Sequence, residues 1–255
     1  MPKFINTMCR AVCRRWRHTL DTHRFLQQAT VRVSSAQLGE VWRSDVIRLV
    51  GTILICGGEQ DTGGQEHDDH SVVCEDFQAR KLHLQGSWHN VAYLKPLIAK
   101  IEELEIEFDQ TNSFGTFNTI ILDIIANRKI PLRVLRIENM KTRFCIMEMT
   151  ADPEIFSRAM CNVEEVAIDC ILTRELQKRI FEEIANSHNV SLRALSIYWI
   201  EEDTDVEVFE RAVSKLRYVD LKLISTFLFN KIFCSENLMS GLPSLKVEDI
   251  LPELI

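Results

Sequence analysis

The sequence predicts an α/β solenoid, with short parallel strands lining the inside, helices outside, and one further helix at the N-terminus. Three observations predict it. A short apolar frame recurs along the chain at intervals of 24 to 31 residues. The centre of each copy alternates apolar and variable residues, the period of a strand with one buried face. Between copies, apolar residues recur at helical spacing.

The frame is plainest in LRVLRIENM (Leu132–Met140) and LRALSIYWI (Leu192–Ile200). Both read apolar, two variable, apolar, one variable, apolar, two variable, apolar. The same frame appears as Val163, Val166, Ile168, Ile171, as Leu216, Val219, Leu221, Ile224, and as Leu242, Leu245, Val247, Ile250. A weaker copy is Ile101, Leu104, Ile106, with Asp109 at the last apolar position. The second apolar residue of each copy falls at 104, 135, 166, 195, 219 and 245, so the intervals are 31, 31, 29, 24 and 26. An ordinary α/β sheet with look-alike strands is the alternative, and this steady spacing weighs against it.

In chain order, residues 1–33 carry seven Lys and Arg against Asp21 alone, a net of +6. The whole chain sums to −7, which leaves −13 for the rest. An acidic body excludes the basic face that a nucleic-acid-binding domain needs. Val12 and Trp16 stand four apart and share one side of a predicted helix, with Cys9 and Cys13 on the neighbouring stripe. Such a helix suits the open end of a solenoid. Residues 1–20 contain no acid and several Arg, which also fits a mitochondrial presequence.

DVIRLVGTILI (45–55) can hold an early strand, and ARKLHLQGSW (79–88) another, through Leu82 and Leu84. Between them, CGGEQDTGGQEHDDHSVVC (56–74) reads as an acidic loop, centred on 57–71. His67, His70 and Cys74 have ligand chemistry, but their spacing matches no standard zinc site. The glycine pairs are not followed by the Gly-Lys-Ser/Thr of a phosphate loop.

Further on, 116–128 and the stretch around Ile224–Phe233 have apolar helical patterns. Residues 172–187 place Leu176, Ile180, Phe181 and Ile184 on one helix face. TDVEVFERAV (204–213) opens with Thr204 and has Glu207 three residues on, the spelling of a capping box.

The repeated frame resembles the leucine-rich repeat of the longer, helix-containing type, over about 100–255. The family's pattern is L-x-x-L-x-L-x-x-N, and here Met140, Ile171, Ile200, Ile224 and Ile250 stand at the Asn position. The resemblance implies a horseshoe in which apolar packing replaces the usual Asn ladder. Val12 to Arg17, VCRRWR, resembles the last helix of an F-box, over about 8–26. That implies a basic, partly F-box-like head at 1–28 and a leucine-rich-repeat domain at 29–255. Val12 and Trp16 would then meet a Skp-type adaptor of a cullin ubiquitin ligase, and the repeats would choose the protein substrate. A leucine-rich-repeat scaffold or regulatory binder unrelated to ubiquitin is the alternative.

In such a fold the variable strand residues face the inner wall. Acids dominate them early: Glu103, Glu105, Glu107, Glu138, Glu165 and Asp169. These predict an acidic wall for a basic protein partner. Tyr198 and Tyr218 fall in adjacent strands and are expected to form one aromatic patch that anchors the partner. No catalytic set, metal site or cofactor is read from the sequence: Gly-x-Ser-x-Gly and His-Glu-x-x-His are both missing. Eight cysteines without a Cys-x-x-Cys pair read as reduced thiols of a cytoplasmic or nuclear protein. No apolar run is long enough to span a bilayer.

Overall fold

The computed structural model of the chain describes residues 29–34, 50–56, 79–86, 94–108, 114–139, 148–149, 151–188, 190–201, 203–233 and 245–251. Nine strands form one sheet: β1 (Thr30–Ser34), β2 (Thr52–Cys56), β3 (Lys81–Gln85), β4 (Glu103–Phe108), β5 (Leu132–Asn139), β7 (Val163–Asp169), β9 (Ala194–Trp199), β10 (Tyr218–Ser225) and β11 (Leu245–Leu251). Two short strands, β6 (Glu148–Met149) and β8 (Ile171–Leu172), pair separately. In the large sheet each strand pairs with its neighbours in chain order, and every pairing is parallel.

Parallel neighbours need a crossover, and helices supply it. They are α1 (Lys95–Ile98), α2 (Phe114–Ala126), α3 (Pro153–Cys161), α4 (Arg174–Asn186), α5 (Val206–Val213) and α6 (Thr226–Phe233). From α1 to α5 each helix packs on the next, so they form one layer on one face of the sheet. Among the described residues, no helix is long and apolar enough to cross a membrane.

The register explains why the frame repeats. Ile53, Leu82, Leu104, Leu135, Val166, Leu195 and Val219 stand opposite one another across successive strands, as do Ile55, Leu84, Ile106, Ile137, Ile168, Ile197 and Leu221. All are buried in one core with residues of the helices. Phe156, Phe181 and Phe209, from α3, α4 and α5, fill the helix side, and the last two meet edge to face at 5.1 Å. The expected face of α4 is buried: Leu176, Ile180, Phe181 and Ile184, joined by Gln177.

The structure departs from the sequence reading at the cap of α5 and in elements that the reading lacks, α1, α3, β1 and β6 among them. The cap of α5 is Asp205, whose carboxylate accepts from the backbone N–H groups of Glu207 and Val208. Thr204 instead donates its hydroxyl to the Glu201 carbonyl. A carboxylate also complements the positive end of the helix, which favours Asp here. Helix α3 was not expected, although Asp152 caps it and Pro153 opens it. Strand β1 was not expected either: its burial, with only Val33 deeply buried, gives a weak alternation.

At the last apolar position of the frame, Ile200 and Ile224 are fully buried and Ile171 is half-buried, while Met140 and the Ile250 side chain lie outside what is described. Polar ties between units occur elsewhere. Arg128 donates to the carbonyls of Ile98 and Ile101. Asn162 donates to those of Ile125 and Arg128 at 2.8 and 3.1 Å. Lys215 donates to those of Ala185 and Ser187 at 2.7 and 2.9 Å. Each side chain follows one helix and caps the open carbonyls at the end of the preceding one. Buried Gln177 adds a further tie, donating to the Leu172 carbonyl and accepting from the Glu201 N–H.

Candidate functional site: the open face of the sheet

Side chains alternate along a strand, so the residues between the buried ones line the opposite face. Three rungs cross it. The first runs Lys81, Glu103, Val134, Glu165, Ala194, Tyr218. The second runs Leu54, His83, Glu105, Arg136, Ala167, Ser196, Asp220, Lys246. The third runs Cys56, Gln85, Glu107, Glu138, Asp169. The repeat thus brings all six expected acids to one face.

They do not form a wall of bare negative charge. Glu103 pairs with Arg133 and Glu105 with Lys81. Glu107 Oε2 lies 3.2 Å from His83 Nε2 and accepts from Gln85 Nε2 at 3.0 Å. Asp169 meets Lys222 at 3.3 Å, across the intervening strand β9. Among the described residues no ion pair reaches Glu138 or Glu165. These partners lie 22 to 53 positions away in sequence, which a reading of single strands cannot see.

The electrostatics follow from that placement. Burial works to raise the Glu105 carboxyl, but the Lys81 hydrogen bond and the charges of His83, Lys81 and Arg136 outweigh it and hold it below its ordinary value. Burial pushes the Glu138 carboxyl up, and Glu105, Asp169 and Glu107 add to this against Arg136. Neighbouring acids on one face therefore shift in opposite directions.

The two tyrosines do not form one patch. Tyr218 stands opposite Ala194, whereas Tyr198 lies four residues further along β9. At ~3.3 Å per residue that is a separation of about 13 Å along the strands. Tyr218 is exposed and Tyr198 is half-buried. Adjacency of strands was legible; the register that separates the rings was not.

The sequence reading missed a polar chain at the early end of the face. Arg32 Nε donates to Cys56 Sγ at 3.1 Å, and Cys56 Sγ donates to Gln85 Oε1 at 3.6 Å. Gln85 continues it to Glu107 and His83. The signal was present, since Cys56 and Gln85 occupy the same place in successive units. Cys161 and Cys170 lie in the core, and burial, aided by Glu183 and Asp169 respectively, pushes each thiol up to about 12.

Val12 and Trp16, the acidic loop at 57–71, and His67, His70 and Cys74 lie outside the described residues. Among the described residues there is no group of three or more His, Cys, Asp and Glu side chains placed to hold a metal ion. No family model matches the chain, and no curated protein matches it.

Proposed function

We propose that the chain is a non-enzymatic leucine-rich-repeat protein, a horseshoe that binds a protein partner on the open face of its strands. Its F-box-like head would make it the substrate-recognition part of a cullin-type ubiquitin ligase. One observation carries the binding role: a parallel sheet in chain order, covered by helices on one face and presenting three polar rungs on the other. Stacked units of this kind offer an extended surface whose side chains vary independently of the core. Glu138 and Glu165, without ion pairs among the described residues, give that surface its preference for a basic partner.

Affinity capture with the full chain tests both parts. The expected captured set contains a basic protein and a Skp-type adaptor. Glu138→Lys with Glu165→Lys should lose the basic protein and keep the adaptor. Trp16→Ala should do the reverse. Thermal unfolding of each variant checks that the fold survives. Capture of a partner that ignores the two Glu substitutions would remove the open face from the binding role. A partner set without the adaptor would leave a scaffold unconnected with ubiquitin.

A further inference from the structure

The third rung of the open face holds three carboxylates in a row. Glu107 stands opposite Glu138, and Glu138 opposite Asp169. Neighbouring strands are ~4.8 Å apart, so Glu138 has a like charge at one strand spacing on each side. Both neighbours are held by partners beyond the row. Glu107 accepts from Gln85 Nε2 at 3.0 Å and lies 3.2 Å from His83 Nε2. Asp169 meets Lys222 at 3.3 Å. Among the described residues no hydrogen bond or ion pair reaches Glu138 itself.

The charged groups around Glu138 come from both flanking strands and from its own. Strand β4 supplies Glu105 and Glu107, with Lys81 and His83 of β3 behind them. Strand β7 supplies Glu165 and Asp169, the latter reached by Lys222 of β10. On β5 itself Arg136 stands two residues back on the same face and is exposed. Lys81 pairs with Glu105 and Lys222 with Asp169, which leaves Arg136 as the cation acting on Glu138 among the described residues. Three ionised carboxylates side by side repel, and one proton taken into the row relieves that repulsion. The middle position takes it most readily. Ionised Glu107 and Asp169 keep their own partners, whereas ionised Glu138 has like charges on both sides. Burial pushes the Glu138 carboxyl up in the same sense.

We propose that Glu138 is a proton-linked latch of the binding surface: the row takes up one proton there as the medium turns acid, and a cationic side chain of the partner displaces that proton when it docks. The inference rests on the reading of the open face as the surface for a basic partner. A cation over Glu138 meets three carboxylates on adjacent strands and replaces the proton in relieving their repulsion. Up to one proton leaves to solvent for each partner bound. Linkage sets the sign. Binding is full above the midpoint of the free row and weakens as pH falls through it, until the lower midpoint of the occupied row is passed. Reciprocity requires the partner to disfavour the proton by the same factor by which the proton disfavours the partner. The partner is thus held in neutral solution and let go in acid.

Hexalysine serves as the probe of a basic partner. It is titrated calorimetrically against the full chain at pH 5 and pH 7, in two buffers of different ionisation enthalpy that count the protons released. Wild type should bind about fivefold more weakly at pH 5 than at pH 7 and should release protons on binding. Glu138→Gln should lose both the proton release and the pH dependence. His83→Gln should keep them, which separates Glu138 from the imidazole beside Glu107. Glu175→Gln, exposed on α4, should match wild type. Carbon-13 NMR of the Glu138 carboxyl reads the same link without a substitution, because its midpoint should fall when hexalysine saturates the face. Thermal unfolding at both pH values checks the fold of each variant. A midpoint that hexalysine leaves unmoved, proton release that survives in Glu138→Gln, or release lost in His83→Gln overturns the inference. If Glu138→Lys with Glu165→Lys still abolishes hexalysine binding, the open face survives as the surface for a basic partner. Failure of hexalysine to bind, or binding that ignores the charge reversal, overturns both readings.

Discussion

The two faces of the large sheet are made by the same strands and follow different rules. On the helix side, Leu104, Leu135, Val166, Leu195 and Val219 are interchangeable aliphatics, none more than 3% exposed. One residue further along each strand, the open side presents Glu105, Arg136, Ala167, Ser196 and Asp220. The first series must fill a shared volume at close packing, so only size and apolarity matter. The second is freed from that demand, so its members differ in charge and size. A core of this kind accepts many unit sequences, and the open face is where one unit can differ chemically from the next.

The sharpest way to break this contrast is a pair of substitutions in β9. Leu195→Ala should cost ~2–5 kcal/mol in urea denaturation, because the cavity it leaves lies in the shared core. Ser196→Ala, one residue along on the open face, should stay within about 0.5 kcal/mol of wild type. Equal effects would mean that the two faces are not distinct in packing.

A smaller effect tests what holds the units in line. Asn162→Ala removes both of its bonds and leaves the Ile125 and Arg128 carbonyls without their donor. A loss of ~1–3 kcal/mol is expected from the same denaturation experiment. A loss below about 0.5 kcal/mol would show that the core alone aligns neighbouring units.

The smallest effect sharpens the picture of the open face, through Glu105 and Glu138. Glu105 has a folded-state pKa below its ordinary 4.5, so its ionised form stabilises the fold above that value, and this is lost as pH falls through the lowered pKa. Glu105→Gln should therefore melt lower than wild type at pH 7, with the gap closing in acid. Glu138 has a folded-state pKa above 4.5, so its contribution is fully present below 4.5 and is lost as pH rises through the raised pKa. Glu138→Gln should melt higher than wild type at pH 7, and that gap should also close in acid. Shifts of about 1–2 °C are expected for substitutions on a solvated face. Melting curves at pH 7 and in acid that move both variants in the same direction would refute the opposed environments.

The helix side was legible because its physics is local and repetitive. Apolar residues two apart define a buried strand face, and residues three and four apart define a buried helix face, so Leu195 with Ile197 and Ile180 with Ile184 declare themselves. Repetition at 24 to 31 residues then implied that like positions align. The same logic placed the six acids on one face. Strand β1 escaped because its burial pattern is weak. Helix α3 escaped although its cap and its proline are plain in Asp152 and Pro153.

What the sequence by itself determined was therefore which residues are buried and which face each strand residue occupies, since both follow from periodicity and the hydrophobic effect. Tertiary structure alone decided who meets whom. The register separates Tyr198 from Tyr218, although their strands are neighbours. Lys222 reaches Asp169 across β9 and Lys81 takes Glu105, while among the described residues no ion pair reaches Glu165. Such pairings depend on distances of a few ångströms between residues from different units, and a Coulomb or hydrogen-bond energy changes steeply over that range. A pattern written along the chain carries no record of those distances until the strands have been laid side by side.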